Sequence, residues 1–401
     1  MHGLKERAKK ALNKKAVIGR DIDLNKYKLD TPQHNNPAGL SSLCETDLLS
    51  AGIIPSGEGR SGSYIQEDHS VTHCNITQDG VEISAIADAL EKYDWLKDYW
   101  WNAMAVDTDK FTAFTELQPY QGYFMRVEAG KKTIYPLQAC LYMEEEGVLQ
   151  SVHNVIIAEE GSEMNIITGC TTASGLHSGL HLGVSEFYVK KGAKVTFTMI
   201  HNWKEEVAVR PRTGVVVEEG GVFISNYVCL KPVRDLQTFP TAYLNGDNAV
   251  AHFSSILVAP EGSYLDTGAR VYLNGRGSRS EIISRAISSG GTIMARGHLI
   301  GKAEDIKAHL ECQGLILTEK GIIHAIPELE GHLSGVDMSH EAAVGKIAQE
   351  EIEYLMARGL SEQEATATIV RGFLNVEIEG LPPELKREID RAIAESEKDL
   401  F

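Results

Sequence analysis

A short unit recurs along the middle of this chain and limits what it can fold into: an apolar run, a charged or polar pair, a glycine, then a second apolar or alternating run. It reads VIIAEEGSEMNII, FYVKKGAKVTFTMI, GVVVEEGGVFISN, ILVAPEGSYLDTG and LILTEKGIIHAI. Each run has strand length, and the glycine suits a tight turn at positive φ. Short Val, Ile, Tyr, Phe and Thr runs persist from about residue 105 to about residue 335, with no helical segment between them. Strand, turn, strand units repeated over ~230 residues predict a solenoid in which each coil buries its apolar face on the next. A sandwich or jelly roll gives similar turn signals but needs longer connections.

The flanks read differently. Residues 1–104 mix polar loops, such as GRSGSYIQEDHS, with helical stretches, such as VEISAIADALEKYDWL at 81–96, and are expected to form an α-rich N-terminal domain. The core domain is placed at 105–335 and a helical domain at 336–401. In the latter, Ser339 is read as an N-cap, with Glu341 facing the positive helix end. Val344, Ile347, Ala348, Ile352, Leu355 and Met356 follow helical spacing, and Gly359 suits the stop. Ser361 and Glu364 form a capping box that opens a second helix carrying Ala365, Ile369, Val370 and Phe373. Pro382 and Pro383 start a third, with Leu385, Ile389, Ala392 and Ile393 on one face. Three short helices leave room for a groove that docks a partner.

The 401 residues are 43% hydrophobic and 24% charged, as in an ordinary globular protein. With 39 Lys and Arg against 56 Asp and Glu, the net charge of −17 argues against a nucleic-acid surface. The basic start, MHGLKERAKKALNKK, reads as a solvated helix face rather than a leader. No apolar run approaches the ~20 residues that span a bilayer, so a cytoplasmic protein is expected.

Metal and nucleotide motifs are mostly broken. The six cysteines contain no C-x-x-C pair, which removes a zinc ribbon and a disulfide framework. His340 and Glu341 begin like the zinc-protease H-E-x-x-H, yet the position four residues after His340 is Val344. HLIGKAED and AAVGKIAQ lack the spacing of a phosphate-binding loop, so the chain is not expected to be an ATPase. No H-x-H marks a cupin. His177 and His181 in GLHSGLHLG, and His69 and His73 beside Cys74, remain as possible ligand pairs. A metalloenzyme built on His177 and His181, β-solenoid or cupin-like, is the alternative from another class.

The run GSRSEIISRAISSG, then HLECQGLILTEKGIIHAIPELEG, then SHEAAVGKIAQEEIEYLMARGLSEQEA resembles the SufB/SufD scaffold family of the SUF iron–sulfur cluster assembly system. The likeness continues through GDN (246–248), HNW (201–203) and GC (169–170) and is weakest before about residue 100. It implies a right-handed parallel β-helix core, a C-terminal helical domain that docks the ATP-binding-cassette ATPase SufC, and edge-to-edge pairing of two scaffold subunits. It also implies a transient iron–sulfur cluster as cargo. Cys312 matches the SufB cysteine of the assembly site, and His340 and Glu341 match the His-Glu pair implicated there. His340 also matches the SufD histidine that faces that cysteine across the interface. One chain thus carries both halves of the divided site, which suits a homodimer. A SufD-like interaction subunit holding no cluster of its own is a further reading.

Two positions depart from SufB. Ser339 stands where SufB has a glutamate, and Val217 aligns with the internal cysteine that receives sulfur. Sulfur is then expected to enter as inorganic sulfide or directly at Cys312, with Cys170 and Cys229 as substitutes whose simpler reading is that of buried structural thiols. The residue types suit a scaffold that must let its cluster go. Thiolates hold iron–sulfur clusters tightly, and an imidazole or carboxylate among them makes a releasable site.

Overall fold

The computed structural model describes residues 2–31 and 45–374. They form a parallel β-solenoid of about eight turns, with helices near both ends of the described chain. Two sheets make its walls. One runs from Ser70–Ile76 and Gly62–Glu67 through Leu137–Met143, Glu163–Thr172, Lys194–Asn202, Val222–Cys229, Val250–Pro260, Arg279–Ser289 and Lys307–Ile316 to Asp337–Gly345. The other includes Val148–Ala158, Ser178–Val189, Tyr264–Leu273, Thr292–Gly301 and Ile322–Gly331.

The recurring units are the corners of this solenoid, not hairpins. The runs on either side of each glycine enter different sheets, and each pairs in parallel with the strand one coil away. Gly161, Gly192, Gly220 and Gly262 all take positive φ, whereas Gly321 does not. Stacked corners also exclude side chains: a Cβ on Gly275 would stand 1.9 Å from the carbonyl oxygen of Gly246.

Alternation sets the register. Inward-facing side chains such as Phe223, Phe253 and Ile282 fill the interior, and a slip by one residue would turn them all to solvent. Phe187 packs on Phe197 with ring centroids 4.8 Å apart and on Phe223 at 5.1 Å. Such contacts contribute about 0.5–1.5 kcal/mol each beyond area burial.

The N-terminal region has helices, but it also adds strands to the solenoid. Gly62–Glu67 pairs in parallel with Leu137–Met143, and Val81–Ala85 pairs antiparallel with Tyr123–Val127. The stretch 81–96, expected to be helical, is therefore a strand followed by the helix Ile86–Lys92, because Val81 and Ile83 alternate into the core. The buried carboxylate of Glu186 fastens the region to the wall: the backbone N–H groups of Trp101 and Ala103 each donate to it at 2.7 Å.

At the other end the structure corrects the expected helix start. Ser339, His340, Glu341 and Val344 lie in the strand Asp337–Gly345, paired with Lys307–Ile316, and the helix begins only at Gln349. The preceding coil offers a full ladder of backbone partners, and this outweighs local helix preference. Ser339 consequently caps nothing; its Oγ pairs with His309 Nδ1 at 2.8 Å. Gly359 does adopt φ +97°, and the Ser361–Glu364 capping box is formed, with Ser361 N donating to Glu364 at 2.8 Å. The helix Glu362–Leu374 lies on the outside of the first sheet, where Val370 and Leu374 are buried among Ile200, Val228 and Ile256. The helix expected after Pro382 and Pro383 lies outside the described residues.

Candidate functional site

Cys312 sits in Lys307–Ile316, one coil before the last strand of its sheet. Register places Leu310 beside His340, Glu311 beside Glu341 and Cys312 beside Ala342. Leu310 and Cys312 belong to the interior core, and Met338 packs against it, so His340 shares the inward face with Cys312. Glu341 takes the outward face in register with Glu311. Sequence thus places Cys312 and His340 together, and the structure puts their neighbour Glu341 on the other side of the wall.

Burial explains the chemistry of each group. Cys312 is 3% exposed, and burial, helped by the adjacent Glu311 charge, pushes its thiol up to about 11. It is therefore a neutral thiol at physiological pH unless a cation arrives. His340 and Glu341 are exposed, since among the described residues no further coil follows their strand. On the outer face, Glu311 is held by Gln313 Nε2 at 2.6 Å and by Arg285 at 3.1 Å. Among the described residues, no three His, Cys, Asp or Glu side chains converge closely enough to hold a metal ion.

Both walls stop here. Asp337–Gly345 and Ile322–Gly331 each pair on one side only among the described strands. Leu329 and Val344, which continue inward rows, are both 39% exposed as a result.

Deeper in the solenoid lies a group that the sequence reading did not assemble. Cys170, His201 and Cys229 occupy one register position on three successive coils. His201 Nδ1 pairs with the hydroxyl of Tyr227 at 2.6 Å, and Cys170 Sγ lies 3.6 Å from Met199 Sδ. Burial pushes the Cys229 thiol up to about 12, the Cys170 thiol well up, and the His201 imidazole well down. A cavity of about 70 Å³ runs from Met199, His201 and Tyr227 past Ser255 to Ser284, which is in register with Cys312. The signal in the sequence was the recurrence of these residues one coil apart, legible only once the coil length is known. Val217 lies wholly buried in the apolar interior.

The other candidate ligands have their own partners. His181 is buried, pairs with Gln150 at 2.9 Å, and is pushed down to about 3 by burial. His177 is exposed in the turn before that strand, its backbone N–H bound to Glu146. His69 bonds the carbonyl of Leu149 at 2.9 Å, while His73 and Cys74, adjacent in one strand, point to opposite faces.

Fold and site define a parallel β-solenoid with a buried thiol and an exposed imidazole on the inward face of its last two described coils. The chain belongs to the SufBD family: residues 141–373 match the family described as SUF system FeS cluster assembly, SufBD core domain. It is similar to an iron–sulfur cluster assembly SufBD family protein of Methanothermobacter thermautotrophicus, 48% identical over 98% of each chain. A protein of the same description from Archaeoglobus fulgidus is 53% identical over 88% of this chain and 95% of its own. The iron–sulfur cluster assembly protein SufB of Bacillus subtilis is 31% identical over 85% of this chain and 75% of its own. Among the described residues no helix is long and apolar enough to cross a membrane.

Proposed function

We propose that this chain is a scaffold, not an enzyme, on which a transient iron–sulfur cluster is built between two copies by Cys312 and His340 of each, with Glu341 taking up iron from the outer face of the same strand. The observation that carries this reading is the shared inward face of Cys312 and His340 in the last two described coils, beside two strand edges that no other described strand pairs. One thiol and one imidazole are too few ligands for a cluster, and a two-fold axis doubles them. Strand edges left unpaired among the described residues, with Leu329 and Val344 exposed, are a liability in a monomer, and a second copy laid against them removes it. Iron binding at Cys312 displaces the thiol proton that burial otherwise retains. With Val217 in place of a receiving thiol, sulfur enters as inorganic sulfide or at Cys312 itself.

Energy comes from a separate SufC-like ATPase docked on residues of about 336–401, in the cytoplasm. Closure of two ATPase subunits shifts the paired scaffolds and opens the interface for iron entry and cluster release. Anaerobic reconstitution with iron and sulfide tests the site: Cys312→Ser is expected to lose the cluster, and parental iron, sulfide and absorbance in that variant would refute it. The mass of the complex with the ATPase tests the pairing, since a two-plus-two assembly of two chain types is expected and a second scaffold chain type would contradict the homodimer.

A further inference from the structure

Arg285 stands between the C-terminal helix and the assembly site. Its guanidinium lies 5.9 Å from the ring centroid of Phe373, on the helix Glu362–Leu374, within cation–π range. On the other side its Nη2 lies 3.1 Å from Glu311 Oε1. Glu311 is in register with Glu341, whose strand also carries His340. Arg285 thus touches the helix on one side and Glu311 on the other, and Glu311 is the register neighbour of Glu341. The guanidinium is not fully used: its Nε is buried with no acceptor among the described residues. Glu311 Oε2 has no bond among the described residues either, since Gln313 and Arg285 both approach Oε1. A two-bond fork between Arg285 and Glu311 would satisfy both, and it is the stronger geometry for this pair. In the observed arrangement the cation lies over Phe373 and makes a single ion-pair contact with Glu311.

We propose that Arg285 is a positioning residue that couples the C-terminal helix to Glu341, an inference that rests on the scaffold reading above. With Phe373 on the guanidinium, Glu311 keeps much of its negative field on Glu341, and ferrous iron is held. When the helix is drawn away, Arg285 closes on Glu311 with both bonds, the field at Glu341 falls, and iron is held less tightly. A docked ATPase that moves the helix would use this contact to favour cluster release.

Ferrous iron is titrated anaerobically into the full-length chain, parent and variants. Phe373→Leu keeps an apolar side chain against the wall but removes the ring, and is expected to raise the iron dissociation constant roughly fivefold or more, the lower end of site-to-site couplings. Arg285→Met keeps the stem, and in that background Phe373→Leu is expected to change nothing, which a merely structural role for either residue would not produce. No shift in the parent background, or an equal shift in both, overturns the coupling. Hydrogen exchange of the metal-free chain gives a second readout: Phe373→Leu should alter amide exchange in Asp337–Gly345 by roughly twofold or more with Arg285 present and not with Met there. Should the parent bind no iron, the scaffold reading fails, while the exchange comparison still decides the coupling; unchanged exchange in both backgrounds overturns it.

Discussion

Leu310 and His340 hold the same register position on adjacent coils, so the inward row Phe253, Ile282, Leu310 ends on an imidazole. A further apolar side chain would merely continue the core. An imidazole there, one strand from the Cys312 thiol, places two metal-binding groups in the last described coils of the solenoid.

Cys312 should alkylate slowly at neutral pH. A thiol is neutral below its pKa, and burial pushes this one up to about 11, so its thiolate fraction grows about tenfold per pH unit up to that value. Mass spectrometry of the iodoacetamide-treated Cys312 peptide between pH 7 and 10 measures this, and added ferrous iron should protect it. Reaction at pH 7 as fast as that of a small free thiol would contradict the burial argument.

His340 and Glu341 should behave differently although they are neighbours. Cys312→Ser and His340→Ala touch one face and are expected to be non-additive in cluster content, the double variant losing little more than the worse single one. Glu341→Gln acts from the other face and should add to Cys312→Ser in ferrous iron affinity. Equal coupling of both residues to Cys312 would rule out the two-face arrangement.

Val344→Lys places a charge on an exposed inward row at the open end. The molar mass from light scattering should fall from that of a dimer to that of a single chain at micromolar concentration, with the far-ultraviolet dichroism of the solenoid kept. A dimer that persists would place the self-association surface elsewhere.

Stability should fall in acid through the interior imidazoles. His181 titrates near 6.5 when unfolded and is pushed down to about 3 in the fold, and His201 is lowered too. The unfolded chain therefore binds protons first, and stability is lost as pH falls from about 6.5 towards 3, by at most about 1.4 kcal/mol per pH unit for each imidazole. Denaturant unfolding at pH 7, 6, 5 and 4 should show a shallower pH dependence in His181→Asn than in the parent; an identical slope would mean that His181 is protonated in the fold.

What the sequence determined is what local chemistry dictates. The repeated glycine units predict tight turns and strands of a solenoid, and Gly161, Gly192, Gly220 and Gly262 adopt the positive φ that only glycine takes freely. Ser361 and Glu364 specify a capping box within four residues of chain, and it forms. The family likeness reached Cys312 and the His340–Glu341 pair because those residues lie in contiguous, recognisable runs. Tertiary structure decided the rest. Whether residues 339–345 become helix or strand depends on the edge offered by Lys307–Ile316, and no spacing within the segment encodes that edge. The same ladder sends His340 inward with Cys312 and Glu341 outward with Glu311, and it gathers Cys170, His201 and Cys229 from three separate coils. Register is a relation between distant strands, fixed by which side chains fill the common interior, so it becomes legible only when the coils are stacked.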